Sequence, residues 1–157
     1  ATKISHNNTG KLASKAGDNV LSRICTTIAG DEGRHERAYK TFMREIFDID
    51  PNGAMLAFEQ MMRKQIAMPA LLIDKGNDRN MFARFSAITQ KIGIYTTWDY
   101  AKIIEHLVEF WKIESVTGLT GAAAKAQVYL SKLPERYLRV AERVKAPEEI
   151  SLVWLSC

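Results

Sequence analysis

Two cysteines in 157 residues are too few to staple a fold covalently, and one of them is the last residue. With Cys25 inside a helical pattern and Cys157 at the terminus, the chain carries no disulfide framework, which favours a reducing compartment. Long apolar runs are missing too. None approaches the roughly twenty residues of a membrane span, and no basic-then-apolar leader stands at the start. The chain opens on Ala1, so further residues are expected before it. Charge of one sign is not gathered either. The 22 Lys and Arg against 18 Asp and Glu leave a formal +4, which permits an acidic partner. The basic residues form no run, so the reading is no nucleic acid and no membrane.

What is present is helical patterning around a sizeable apolar content. At 46% hydrophobic, the chain is long enough to bury the core of one domain. A first helix is predicted from about Asp18 to Phe47, after which Asp50 and Pro51 supply an N-cap and a first-turn proline for the second. Met55, Phe58, Met61, Met62 and Ile66 mark the second helix, which Pro69 bounds, and the polar stretch from Asp74 to Asn80 reads as a loop. Phe82, Phe85, Ile88 and Ile92 mark a third. Thr96 with Asp99 forms a capping box for a fourth, striped by Tyr100, Ile103, Ile104, Leu107 and Trp111. Thr117 and Gly118 close it. A fifth helix runs from near Thr120 to Lys132, and Pro134 restarts a shorter basic one from Glu135 to Val144. Beyond Pro147 the pattern is irregular. The fold class is all-α, and nothing divides the chain, so 1–157 is one unit.

Leu21, Cys25, Ile28, Glu32, His35, Tyr39, Phe42 and Ile46 follow one another at spacings of four and three, the seam a bundle helix turns toward its partners. Six are apolar or aromatic. A carboxylate and an imidazole one turn apart on such a seam need a partner, and a metal ion satisfies both. Two plainer readings compete: a chance i, i+3 pair on a surface, and a buried pair satisfied by hydrogen bonds alone. Asp31, Arg34, Glu36 and Arg37 occupy the solvent-facing positions, so the helix had room for Glu32 elsewhere. A zincin is excluded by spacing, because Tyr39 stands where the second histidine would be. Glu-x-x-His is instead the ligand pattern of di-metal carboxylate bundles, which use two such motifs and two lone glutamates. Only one motif is visible, since Lys3 and Ile103 precede His6 and His106. Either the pair is not a metal site, or its other half lies upstream of Ala1.

The stretch Cys25-Thr26-Thr27-Ile28-Ala29-Gly30-Asp31-Glu32-Gly33-Arg34-His35-Glu36 resembles the second di-iron motif of plant acyl-carrier-protein desaturases of the stearoyl type. Further matches follow in order: Phe47-Asp48-Ile49-Asp50-Pro51, Met61-Met62-Arg63-Lys64, Met68-Pro69-Ala70, Phe85-Ser86-Ala87, Asp99-Tyr100-Ala101, Trp111-Lys112, Thr117-Gly118-Leu119 and Lys125-Ala126-Gln127. They reach from Ala1 to about Arg139. The resemblance implies a ferritin-like di-iron helical bundle of which this chain is the C-terminal half, with the remaining iron ligands upstream of Ala1.

It also implies an activity: oxygen-dependent introduction of a cis double bond, delta-9 in the stearoyl type, into an acyl chain held on acyl carrier protein. Reduced ferredoxin would supply electrons, in the plastid stroma, from a soluble enzyme that is a homodimer when intact. By the same resemblance Glu32 and His35 are metal ligands, and Asp31 orients a histidine of the facing helix. Thr2 matches a threonine near the oxygen site, and Met68, Pro69, Phe82 and Ser86 match positions along the acyl channel. Methionine and phenylalanine at helical spacing are equally what an ordinary core requires. Arg63, Lys64, Arg79, Arg84 and Lys91 could face the acidic carrier protein or simply be solvated.

The chain also departs from the family. Gly30 and Gly33 replace alanine and lysine within the motif, each costing about 1 kcal/mol in a helix interior. Lys3 replaces a phenylalanine, Ala83-Arg84 an Asp-His pair, and the ending from Ile150 differs. A non-catalytic helical remnant or interaction module is therefore the alternative reading. Because several neighbours of the seam would lie in the other half, the chain alone is expected to be loosely packed or self-associated.

Overall fold

A computed structural model describes residues 1–64 and 81–145. Those residues form seven α-helices: α1 (Thr2–Lys15), α2 (Asn19–Ile49), α3 (Pro51–Lys64), α4 (Met81–Lys91), α5 (Thr97–Phe110), α6 (Gly121–Ser131) and α7 (Leu133–Arg143), with a 3₁₀ turn at Ile113–Ser115. The expected all-α class is observed, and no described residue is in a strand. No described helix is long and apolar enough to cross a membrane. Met68, Pro69, Arg79, the predicted loop from Asp74 to Asn80 and the tail beyond Pro147 lie outside the described residues.

Local chemistry sets most boundaries. Asp18 caps α2 through the Leu21 amide at 2.9 Å, and Asp50 stops it and caps α3 through the Gly53 amide at 2.9 Å. A Cβ at residue 53 would sit 2.2 Å from the Asp50 carboxylate, so a side chain there would displace this cap. The Thr96–Asp99 capping box closes in both directions, as its sequence predicts. Helix α1 is a correction, since the pattern placed the first helix only at Asp18. Its sequence is too polar to show a stripe, and packing holds it: Gly10 and Ala13 are buried, and a Cβ at residue 10 would meet Cys25 Cβ at 3.2 Å.

The core lies among α3, α5, α6, α7 and the end of α2. Met55, Ile104, Ile113, Leu130 and Leu133 are fully buried, and Phe47 and Phe58 close over Trp111 with ring centroids at 6.0 and 5.0 Å. Trp111 Nε1 donates to the Lys40 carbonyl at 3.0 Å, tying the middle of α2 to the end of α5. Gln127 donates to the carbonyls of Ile113 and Val116 at 2.8 and 2.9 Å, which fixes the 3₁₀ turn against α6.

Candidate metal centre

Helix α2 has two sides. Cys25, Ala29 and Phe47 face its neighbours, whereas Leu21, Ile24, Tyr39, Phe42 and Ile46 are exposed, Tyr39 by 69%. The seam read from spacing as buried is therefore largely open in this chain. Glu32 and His35 stand on the open side, their side chains 29% and 62% exposed.

Their side chains stand one turn apart on the same side of α2. His35 Nδ1 lies 3.8 Å from Glu32 Oε2, too long for a hydrogen bond and close enough for both to reach one ion. Thr2 Oγ1 donates to the same Oε2 at 2.8 Å. That contact fixes the orientation of the carboxylate. The Thr2 position singled out by resemblance therefore does meet Glu32. Asp31 pairs with Arg34 on its own helix. Ser86 is exposed, Phe82 is half-buried, and both lie on α4. Carboxylate and imidazole suit iron or zinc, but two donors do not hold an ion. Among the described residues no group of three His, Cys, Asp or Glu could do so. The described residues by themselves thus do not complete a di-iron site.

One turn further lies a cluster the sequence reading missed. Glu36 accepts from Lys3 at 3.1 Å and from Lys40 at 3.0 Å. Lys40 also donates to His106 Nε2 at 2.8 Å and lies 4.6 Å from the Phe110 ring centroid. Burial raises the Glu36 pKa, but the hydrogen bonds and charges of Lys40 and Lys3 outweigh it and hold the carboxyl below its ordinary value. The i, i+4 spacing of Glu36 and Lys40 was a readable signal. The approach of Lys3 and His106 was not, because each crosses between helices. Arg63, one of the basic residues read as facing a carrier protein or solvent, pairs with Glu59 at 2.7 Å and stacks 3.9 Å from the Tyr129 ring centroid.

Among the described residues the chain is all-helical, with one carboxylate–imidazole pair at i, i+3 on the open face of α2. The fatty acid desaturase family model matches residues 1–155. The chain is 51% identical over 145 residues to an acyl-[acyl-carrier-protein] desaturase of Cucumis sativus, and 50% identical over 145 residues to a stearoyl-[acyl-carrier-protein] 9-desaturase of Ricinus communis. Each alignment covers 92% of this chain and 37% of the relative. A stearoyl-[acyl-carrier-protein] 9-desaturase of Simmondsia chinensis is 47% identical over 98% of this chain and 39% of its own length. The chain belongs to the fatty acid desaturase family, a ferritin-like helical fold. It spans about 37% of the length of the first two relatives.

Proposed function

We propose that this chain is the C-terminal part of an acyl-carrier-protein desaturase that introduces a cis double bond, at delta-9, into a stearoyl-type chain in fatty acid biosynthesis. The observation that carries the proposal is the Glu32–His35 pair on the open face of α2, inside a stretch that matches the relatives. Unactivated methylenes have no acidic proton, so their oxidation belongs to a di-iron centre with O2 and electrons from ferredoxin. This chain contributes Glu32 and His35 as two ligands, Thr2 beside the oxygen site and Asp31 as the carboxylate that orients a facing histidine. The other ligands stand on helices outside it, upstream of Ala1. Met68, Pro69, Phe82 and Ser86 line the acyl channel. Carrier protein docks on basic surface that includes Lys64, and the intact enzyme is a homodimer of the chloroplast stroma, as the chloroplastic names of its relatives support.

A second reading, a helical module without catalysis, has one observation in its favour: the core of α3, α5, α6 and α7 is closed without help from the open seam. The two readings separate in a chimaera in which residues 1–157 replace the matching segment of the Cucumis sativus relative. With ferrous iron, reduced ferredoxin, oxygen and stearoyl carrier protein, the chimaera should form the unsaturated product. A folded, iron-loaded but inactive chimaera would favour the module.

A further inference from the structure

Helix α1 lies antiparallel on α2 in a single register. Gly10 sits against Cys25, Lys3 runs over Gly33, and Thr2 reaches Glu32. The contact of Lys3 with Gly33 is close: a Cβ on residue 33 would find Lys3 Cε at 3.7 Å, Cδ at 3.8 Å and Nζ at 3.9 Å. The stem of Lys3 thus lies along backbone that glycine leaves bare, and its ammonium ends on Glu36, one turn beyond Glu32, at 3.1 Å. In sequence, Lys3 and Gly33 read as two separate departures from the family. In the fold they touch. Gly30, a third departure, has no such neighbour, since a Cβ there would meet nothing within 4 Å.

Glu36 is held from its other side as well. Its second oxygen accepts from Lys40, only 12% exposed, whose ammonium also donates to His106 Nε2 at 2.8 Å and whose carbonyl accepts from Trp111. A carboxylate tied in this way to α5 is a fixed post, and Lys3 fastens the first turn of α1 to it. Thr2 is the neighbouring residue of that turn, and its hydroxyl donates to Glu32 Oε2 at 2.8 Å. A cation borne by residue 33 would act differently. At i, i+3 it would pair with Glu36 inside α2 and tie nothing to α1.

We propose that Lys3 is a positioning residue: laid across Gly33 and anchored on Glu36, it holds α1 in the register from which Thr2 orients the Glu32 carboxylate. What Glu32 then does rests on the desaturase reading above; the tie itself does not. An exposed ion pair contributes little to stability, so its effect belongs to orientation and shows in turnover rather than in melting.

The Cucumis sativus chimaera carries the test. Lys3→Met keeps most of the stem and removes the charge. It should lower kcat about tenfold, leave KM for stearoyl carrier protein and the melting temperature unchanged, and raise deuterium uptake in the first turn of α1. Lys3→Arg should keep both turnover and protection. Adding Gly33→Lys to Lys3→Met should restore neither, because that cation stays within α2; recovery would mean that neutralising Glu36 is enough and would overturn the tie. Thr2→Val should lower kcat as Lys3→Met does, and the two together should cost little more than one, since both act on Glu32 by one route. Additive losses, or a Lys3→Met chimaera with native exchange, would overturn the proposal. An inactive chimaera in which Lys3→Met still loosens α1 would defeat the desaturase reading and leave the tie standing; an active one indifferent to Lys3→Met would do the reverse.

Discussion

The face of α6 that carries Ala123, Ala126 and Leu130 and the face of α2 that carries Tyr39, Phe42 and Ile46 are equally apolar in sequence, yet one is sealed and the other open. Leu130 is 0% exposed and Phe42 is 59% exposed. The difference lies in what each face has across from it. Helix α6 meets α3, α7 and the 3₁₀ turn, whereas α2 is covered by α1 along one side and meets α3 at its end, and no described element covers Tyr39, Phe42 and Ile46. Periodicity reports that a face is made to be covered; it does not report whether the cover is in the same chain. The closed region holds the fold, and the open one carries the Glu32–His35 pair.

The sharpest way to break that contrast is to damage the closed side. Leu130→Ala should lower the unfolding free energy by about 2–5 kcal/mol, read from denaturant or thermal melts of the chain. Phe42→Ala, although it removes a larger side chain, should change the stability of the chain by no more than about 0.5 kcal/mol. Equal losses at the two positions would mean that the seam is part of the core. A smaller effect belongs to the capping box: Asp99→Ala should cost about 1 kcal/mol by freeing the start of α5.

Titration sharpens the comparison further. Burial, with the charge of Asp99 beside it, pushes the Tyr95 phenol up to about 12 from 10.0. The folded state therefore holds that proton more tightly than the unfolded one. Its contribution to stability is complete below pH 10 and is lost as pH rises from 10 toward 12. Alkaline melts with phenolate absorbance should show this, and Tyr95→Phe should remove it. Glu36 has the opposite sign, since a lowered carboxyl pKa stabilises above the ordinary value of 4.5 and loses that contribution as pH falls through the folded one. Lys3→Met and Lys40→Met should each raise the Glu36 pKa toward its ordinary value, measurable by carboxyl carbon chemical shifts.

Sequence made much of this legible where the cause is local. The capping box at Thr96 and Asp99, the stop and restart at Asp50 and Pro51, and the all-α class depend on neighbouring residues, and each is observed. Helix α1 was not legible, because a polar segment becomes helical here by packing Gly10 and Ala13 on α2. At the site, Glu32, His35 and Thr2 could be named in advance, but the hydrogen bond from Thr2 to Glu32, which joins two helices, could not. Lys40 and His106 could not, since their contact joins positions 66 residues apart in the chain.

One measurement bears most directly on the claim that the open face of α2 carries a metal ligand. Iron content and product formation are compared in the Cucumis sativus chimaera with and without His35→Ala, an exposed substitution that leaves the packing of α2 untouched. Loss of bound iron and of product together, with unchanged helical content, is the predicted result. A His35→Ala chimaera that keeps both its iron and its turnover would remove His35 from the ligand set and contradict the account.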